Sequence, residues 1–264
     1  MKEERAWIEV AIGASVLAGK EILEVYDTAF EVEQKEDFSP LTEADKRAHQ
    51  VIASILEKTE LPVLSEEGRD IAFEERNGWE RFWMVDPLDG TKEFVKRNGE
   101  FTVNIALIEN GYPIAGVIYV PVKKWLYFAV GNQSFKIEDF ESENSTLESL
   151  ISQATTLPQP KEDNVFRVVG SRSHMSPETA EFIDKQEKEH EQVEIVSMGS
   201  SLKLCLVAEG AADVYPRFAP TMEWDTAAGQ AIAEAAGKSV TNYPEGDRVT
   251  YNKSNLLNPW FMVF

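Results

Sequence analysis

Apolar residues in the first sixty positions recur at the spacing of an amphipathic helix. Residues 4–30 are predicted to form one helix, whose apolar face consists of Trp7, Val10, Ala11, Ala14, Leu17, Ala18, Ile22 and Val25. A charged loop at 31–40 follows, and Thr42 begins a second predicted helix that ends near residue 58. The apolar segment 62–65 is predicted to be a short strand that leads directly into Glu66-Glu67.

From residue 82 the spacing changes to that of strands. Residues 82–85 form a predicted strand that ends at Asp86, and 125–130 form another. Between them, 102–108 and 114–120 are rich in β-branched residues and are joined by Asn110-Gly111, which is typical of a hairpin turn. This part of the chain therefore predicts an antiparallel sheet.

Residues 131–163 are polar, and we expect a loop with one short helix there. This segment is interpreted as the boundary between an N-terminal α+β part at 1–160 and a C-terminal α/β part at 161–264. In the second part the predicted strands are 166–169, 193–197 and 213–215, and the predicted helices are 177–189, 200–209 and 226–236. Alternating strands and helices favour an α/β layer.

The charge of the chain limits the classes of partner. There are 46 acidic residues and 26 Lys plus Arg, so the formal net charge is -20. This excess makes nucleic-acid binding and adhesion to an anionic membrane improbable. An anionic substrate would need a metal ion or a local basic patch to reverse the potential at its site.

Other features predict a cytoplasmic protein, with peripheral association with the inner membrane left open. The single cysteine, Cys205, lies in an apolar run and cannot form an intrachain disulfide. The first residues resemble neither a secretory signal nor a transit peptide. No apolar run approaches the roughly 18 residues of a membrane span, and the oligomer is expected to be a monomer or a homodimer.

The segment Asp86-Pro87-Leu88-Asp89-Gly90-Thr91 places two carboxylates three residues apart at the end of a strand. Pro87 restricts one backbone angle and Gly90 permits an unusual one, so a turn here can direct both carboxylates and the Leu88 carbonyl into one cavity. Oxygen ligands of this kind suit Mg²⁺. The alternative is a structural β-turn whose Asp side chains bond to the backbone.

Three other acidic segments allow both a structural and a functional interpretation. Ser65-Glu66-Glu67 is either a loop start or a source of a cation-bridging carboxylate. Asp45 is either part of the helix start at Thr42 or the partner that orients the Thr91 hydroxyl and, through it, a water. Asp225, before a helix of small residues, is either a helix cap or a further metal ligand.

Two segments that follow predicted strands can hold an anion. They are Ser171-Arg172-Ser173-His174 and Ser200-Ser201-Leu202-Lys203. Hydroxyls, a helix N-terminus and cationic side chains can bind an anion together. Helix capping by the serines and a solvated lysine is the structural alternative.

Taken together, these motifs resemble the inositol monophosphatase superfamily of lithium-sensitive, magnesium-dependent phosphomonoesterases. The chain has the superfamily's order of an acidic pair, Asp-Pro-Leu-Asp-Gly-Thr, and Trp-Asp before a small-residue helix, here Glu66-Glu67, 86–91 and Trp224-Asp225. Within the superfamily it resembles the bacterial 3′(2′),5′-bisphosphate nucleotidases of the CysQ type. That narrower resemblance depends on Ser65-Glu66-Glu67, the long run 85–104 with Lys92-Glu93-Phe94, and the segments 171–174, 199–203, 215–218 and 224–229.

The resemblance implies an α/β (α+β) fold, a layered αβαβα sandwich, and a role for each matching residue. Metal ligands would be Glu66, Asp86, Asp89 and Asp225 through their side chains and Leu88 through its carbonyl. Two or three Mg²⁺ ions would be bound. Asp45 and Thr91, with Glu66, would activate the nucleophilic water. Substrate contacts would come from Gly90, Thr91, Ser171, His174, Ser200, Lys203 and Asp225.

The implied reaction is hydrolysis of 3′-phosphoadenosine 5′-phosphate (PAP) to AMP and phosphate by a metal-activated water. Such an enzyme would serve sulfur assimilation. A phosphatase acting on inositol 1-phosphate or fructose 1,6-bisphosphate is the alternative enzyme. A non-catalytic protein that senses Mg²⁺ or a nucleotide belongs to a different class, and it would not need a pair such as Thr91 and Asp45.

Overall fold

A computed structural model describes residues 2–28, 32–34, 40–170 and 175–264. The α-helices in this part of the chain are α1 Lys2–Tyr26, α2 Glu43–Leu56, α3 Phe73–Arg76, α4 Thr91–Val95, α5 Leu147–Gln153, α6 Pro177–Glu189, α7 Leu202–Glu209 and α8 Glu223–Ala235. A 3-10 turn, Glu57–Thr59, extends α2. None of the described helices combines the length and apolar character that crossing a membrane requires.

The strands before residue 160 and the strands after it lie in separate sheets. The strands are β1 Val32–Gln34, β2 Pro40–Thr42, β3 Val63–Ser65, β4 Arg81–Asp89, β5 Thr102–Glu109, β6 Tyr112–Val120, β7 Trp125–Val130, β8 Gln133–Ile137, β9 Thr155–Leu157, β10 Phe166–Val169, β11 Val193–Val196, β12 Tyr215–Arg217, β13 Val240–Asn242 and β14 Phe261–Val263. Strands β3 to β9 form one sheet in sequence order, parallel between β3 and β4 and antiparallel elsewhere. Strands β12, β14 and β13 form a second sheet, and β10 and β11 form a parallel pair.

The central seven-stranded sheet is covered on both faces. Alternate residues of β5 point in opposite directions, so Val103, Ile105 and Leu107 join the cluster formed with α1 and α2. Ala106 and Ile108 join the cluster formed with α7 and α8. Helix α7 also contacts β12, and α6 contacts β11 and β12. The order of layers is therefore helix, sheet, helix, sheet, helix, and this confirms the predicted sandwich.

Helix α8 approaches the central sheet closely at Gly116 of β6. A Cβ atom on Gly116 would lie 2.4 Å from the Ala228 carbonyl oxygen and 2.9 Å from the Ala231 Cβ. Only a glycine permits this separation. The sheet therefore determines the position of α8, the helix whose first turn contains Asp225.

Most predicted elements are confirmed, but several boundaries were wrong. Helix α1 ends at Tyr26 rather than residue 30, and residues 32–34 of the predicted loop pair with 40–42 as strands. The predicted loop 131–163 contains β8 and β9, which extend the central sheet. The strand predicted at 213–215 lies instead at Tyr215–Arg217. The division into parts 1–160 and 161–264 stays a prediction.

Candidate active site

Strand β4 carries two of the candidate ligands, Asp86 and Asp89. The sequence predicted that this strand ends at Asp86, but it continues to Asp89. Asp86 pairs with Asn104 and Asp89 with Thr102, so three steps along β4 match two along β5. This is a β-bulge, and one extra residue reverses the alternation of side chains. Two residues three positions apart would otherwise point to opposite faces, whereas the bulge lets both carboxylates lie on one side.

Asp225 brings the third carboxylate, from the first turn of α8. One oxygen each of Asp86, Asp89 and Asp225 lies within 4.8 Å of the others. The sequence placed Asp225 before its helix, but α8 begins at Glu223. Its Oδ2 accepts a hydrogen bond of 2.9 Å from the Met222 amide, so the helix start holds the carboxylate in place.

Burial and neighbouring carboxylates raise the proton affinity of Asp86 and of Asp225. Burial raises the pKa of Asp86, and the nearby charges of Glu66, Asp89 and Asp225 raise it further. Burial and Asp89 raise the pKa of Asp225 to about 8, although the Met222 amide acts in the opposite direction. A cation in this cluster would neutralise the repulsion that adds to the effect of burial in both shifts.

Glu66 follows β3 and lies beside the cluster. Its amide donates to the Val85 carbonyl at 3.1 Å, so the two strand ends are side by side. Glu66 is not one of the three converging carboxylates, but its charge raises the pKa of both Asp86 and Asp225. The preceding Ser65 bonds through its hydroxyl to His49 Nδ1 at 2.9 Å.

Thr91 and Asp45 form a hydroxyl–carboxylate pair next to this cluster. The Thr91 hydroxyl donates to Asp45 Oδ1 at 3.2 Å and lies 3.4 Å from the Leu88 carbonyl oxygen. The other oxygen of Asp45 accepts from the Thr42 amide at 2.8 Å and the Thr42 hydroxyl at 2.6 Å. Asp45 therefore supports the start of α2 and orients Thr91 at the same time.

Ser200 connects the start of α7 with the carboxylates. Its hydroxyl donates to Asp89 Oδ2 at 2.7 Å and lies 2.6 Å from the Thr102 hydroxyl. A Cβ atom on Gly90, whose φ is +93°, would lie 3.3 Å from the Ser200 Cβ. The Lys203 ammonium donates to the Ser200 carbonyl at 2.9 Å. Ser171 and His174, two predicted substrate contacts, lie outside the described residues.

Sequence reasoning assigned no role to two buried polar residues of β5. Thr102 and Asn104 lie on the face of β5 that is apolar further along, at Ala106 and Ile108. Asn104 accepts hydrogen bonds from the hydroxyls of Thr102 at 2.9 Å and Ser201 at 2.8 Å. The sequence did contain a signal for this role, because Thr102 and Asn104 are polar residues at alternate positions of an otherwise apolar strand.

The donors suit a hard divalent cation. Carboxylate and carbonyl oxygens converge, and the converging set contains no sulfur or imidazole ligand among the described residues. Two carboxyls with raised pKa values are buried together without a cationic side chain paired to them at hydrogen-bond distance in the part of the chain that the structure describes. Mutual repulsion of this kind is relieved when a metal ion binds.

Comparisons with known proteins agree with this geometry. The model of the inositol monophosphatase family matches residues 3–260. The chain is 48% identical to the 3′(2′),5′-bisphosphate nucleotidase CysQ of Salmonella typhimurium, over 93% of this chain and 94% of that protein. It is 46% identical to the protein of the same name from Escherichia coli K12, with the same coverage. The crystal structure of CysQ from Bacteroides thetaiotaomicron superposes with a TM-score of 0.89 at 52% identity, covering 96% of this chain and 95% of that one.

Proposed function

We infer the function of this protein from the inositol monophosphatase family, to which the chain belongs, and propose that it is a 3′(2′),5′-bisphosphate nucleotidase. The reaction is hydrolysis of a phosphate monoester, and the proposed substrate is PAP, which yields AMP and phosphate. The observation that carries the catalytic part is the Thr91–Asp45 pair beside three converging carboxylates. The nucleotide part is supported by the names of relatives that match over 93% of the chain.

Thr91 and Asp45 position the attacking water in this proposal. Because the Thr91 hydroxyl donates its hydrogen to Asp45, its oxygen lone pairs are available to accept a hydrogen bond from a water. Asp45 is itself held by Thr42 through two hydrogen bonds, so the pair is already oriented before substrate binds. A water held in this way can pass a proton towards the Thr91–Asp45 pair as it attacks.

The proposed metal ligands are Glu66, Asp86, Asp89, Asp225 and the carbonyl of Leu88. Their all-oxygen chemistry suits Mg²⁺, in two or three ions. When bound, Mg²⁺ supplies positive charge that offsets the charge of the phosphoryl group and makes water more acidic. The converging carboxylates repel an anionic substrate, and the formal net charge of -20 of the chain adds to that repulsion, so positive charge is needed at the cluster. Lys203, Ser200 and Gly90, together with Ser171 and His174, are the proposed contacts to the nucleotide.

The test is a comparison of phosphate release from PAP, inositol 1-phosphate and fructose 1,6-bisphosphate by the purified protein with Mg²⁺, with and without Li⁺. We expect PAP to have the highest kcat/KM and Li⁺ to inhibit. Higher turnover of inositol 1-phosphate would overturn the nucleotidase proposal and favour a sugar-phosphate phosphatase. PAP binding without phosphate release would instead indicate a nucleotide sensor.

The ligand assignment has its own test. Asp89→Asn replaces a carboxylate by an amide of the same shape, and we expect turnover of PAP to fall by about a hundredfold or more while the fold is retained. Asp184→Asn, on the exposed surface of α6, is the matched control and should leave turnover unchanged. Near-normal activity of Asp89→Asn would contradict the assignment of Asp89.

Cellular location and oligomeric state stay predictions. We expect a cytoplasmic protein that is a monomer or a homodimer, and light scattering coupled to gel filtration distinguishes those two states.

A further inference from the structure

Two residues of α2, Asp45 and His49, lie one helical turn apart on the same face of that helix. The Asp45 carboxylate accepts the hydrogen bond from the Thr91 hydroxyl at 3.2 Å. His49 Nδ1 lies 2.9 Å from the hydroxyl of Ser65, the last residue of β3. One face of α2 therefore contacts both the hydroxyl beside the carboxylate cluster and the residue that precedes Glu66.

Ser65 is the first residue of a tight turn that carries Glu66 and Glu67. The Gly68 amide donates to the Ser65 carbonyl at 3.0 Å and closes this turn. A Cβ atom on Gly68 would lie 3.1 Å from the same carbonyl oxygen and 3.6 Å from His49 Cε1, so the imidazole lies against the turn. Because the turn is short and closed, a displacement of Ser65 would also displace the carboxylate of Glu66.

The turn lies at the free edge of the central sheet. Strand β3 is the outermost strand of that sheet, and no other described strand pairs with its outer edge. A cavity of about 550 Å³ lies here, and its lining includes His49, Ser65, Gly68 and Trp79. Atoms that border a cavity lack packing partners on that side. Hydrogen bonds therefore have a larger share in fixing this turn than they would have in a close-packed interior.

The contact between His49 and Ser65 is sheltered from water and does not depend on charge. Ser65 is 7% exposed, and His49 is half-buried. Burial lowers the pKa of His49, although the charge of Glu67 acts in the opposite direction. The ring is therefore uncharged at neutral pH, and its Nδ1 either donates to the hydroxyl or accepts from it.

We propose that His49 is a positioning residue for the metal site, which acts through Ser65 on the turn that presents Glu66. This inference rests on the proposed function, in which Glu66 is a metal ligand. Helix α2 then determines two positions at once, because Asp45 orients the Thr91 hydroxyl and His49 orients the turn. The carboxylate that binds the cation and the hydroxyl that orients the water are thus held at a fixed separation by one helix.

The experiment is a calorimetric Mg²⁺ titration of the full-length protein without substrate. His49→Leu removes the hydrogen bond, and we expect the Mg²⁺ affinity to fall about tenfold, as is typical when a group that orients a metal ligand is lost. Ser65→Ala should have a similar effect, and the double variant should lose little more than either single variant. His49→Asn should regain most of the affinity, since its amide can donate or accept near the position of Nδ1. Gln50→Leu, on the exposed face of α2, is the control and should bind Mg²⁺ normally.

A merely structural role of His49 gives a different result. His49→Leu would then lower the thermal midpoint of the metal-free protein and leave the Mg²⁺ affinity of the folded protein unchanged, which would overturn the inference. Additive losses in the double variant would also overturn it, because His49 would not act through Ser65. If His49→Leu does not fold, Ser65→Ala decides the question, and normal Mg²⁺ affinity in that variant would contradict the proposal.

Glu66→Gln separates this inference from the proposed function. If Glu66→Gln binds Mg²⁺ weakly and His49→Leu binds it normally, only the role of His49 is wrong. Normal Mg²⁺ binding by Glu66→Gln would contradict the ligand assignment and the role of His49 together. Because no substrate is present in these titrations, their outcome does not depend on whether PAP is the substrate.

Discussion

Thr91 contributes a single hydroxyl to the site, and two oxygens compete for its hydrogen. Asp45 Oδ1 lies at 3.2 Å and the Leu88 carbonyl at 3.4 Å. A carboxylate is the stronger acceptor, so the hydrogen is expected to point to Asp45. In that orientation the threonine oxygen can accept from a water, and the Leu88 carbonyl keeps its lone pairs for a cation.

The shape of the Thr91 side chain and its hydroxyl group can be tested separately. Thr91→Val keeps the shape and removes the hydroxyl, so we expect kcat to fall by about a hundredfold or more with little change in Mg²⁺ affinity. Thr91→Ser keeps the hydroxyl and should retain most of the activity. Steady-state kinetics and calorimetric Mg²⁺ titrations measure the two quantities. Weak Mg²⁺ binding by Thr91→Val would instead indicate that Thr91 belongs to the metal site.

Single residues also show what the sequence could and could not predict at the site. Asp45 had two interpretations, helix start and partner of Thr91, and the structure gives each of its two oxygens one of these contacts. The type and order of the carboxylates predicted that Asp86, Asp89 and Asp225 converge, whereas Glu66, which the prediction grouped with them, is not one of the three. The hydrogen bond from the Ser200 hydroxyl to Asp89 could not be predicted, because it joins residues 111 positions apart whose approach depends on three-dimensional packing.

At the scale of elements, the position of α8 against the central sheet determines where Asp225 lies. The Ala228 backbone approaches Gly116 so closely that a methyl group cannot fit between them. Because α8 begins at Glu223, a shift of the helix would also move Asp225 relative to Asp86 and Asp89.

Gly116→Ala tests this relation between packing and the site. We expect a loss of about 3 kcal/mol in the free energy of unfolding from overpacking, and weaker Mg²⁺ binding because Asp225 moves away from β4. Gly78→Ala is the matched control, since a Cβ there would meet nothing within 4 Å. Chemical denaturation and Mg²⁺ titration are the measurements. If the Gly116→Ala variant is destabilised but its Mg²⁺ affinity is unchanged, the packing of α8 against β6 does not determine metal binding.

Elements were predictable where a single periodicity extends over many residues. The apolar face of α2 and the apolar runs of β5 and β6 are of this kind. Strand β8 was missed because Gln133–Ile137 is short and polar, although Phe135 and Ile137 alternate as a half-buried strand requires. Helices α3 and α4 have four and five residues, and helices this short give too little periodicity to detect.

For the whole molecule, the dominant property is negative charge, and the active site concentrates it. In the folded protein without metal, Asp225 keeps its proton up to a pH of about 8. An aspartate in an unfolded chain has a pKa of about 3.9. The folded state therefore binds more protons than the unfolded state between these values, so this group makes the free energy of unfolding decrease as the pH rises through that window.

The raised pKa of Asp225 has two measurable consequences for stability and for Mg²⁺ binding. Without metal, the thermal midpoint should decrease between pH 6 and pH 8 by more than it does in Asp225→Asn, as differential scanning calorimetry can measure. Mg²⁺ must displace the proton, so its apparent affinity should weaken by up to about tenfold for each pH unit below 8. Titrations in buffers of different ionisation enthalpy report the released proton directly. A pH-independent Mg²⁺ affinity in this range would contradict the raised pKa of Asp225.

The bulge between Asp86 and Asp89 makes the site depend on the number of residues as well as on their identity. Loss of one codon inside this segment would leave β4 able to pair with β5, and the apolar pattern of Phe82–Val85 would be intact. Regular alternation would return, and the two carboxylates, now two positions apart, would still point to the same face of the sheet. The irregular backbone between them would be lost, and with it the position of the Leu88 carbonyl next to the Thr91 hydroxyl. Such a deletion would give a folded protein with both carboxylates and an altered site, whereas substitutions nearby leave the number of residues unchanged. Over evolutionary time, the segment is therefore expected to accept exchanges of residues but not changes in its length.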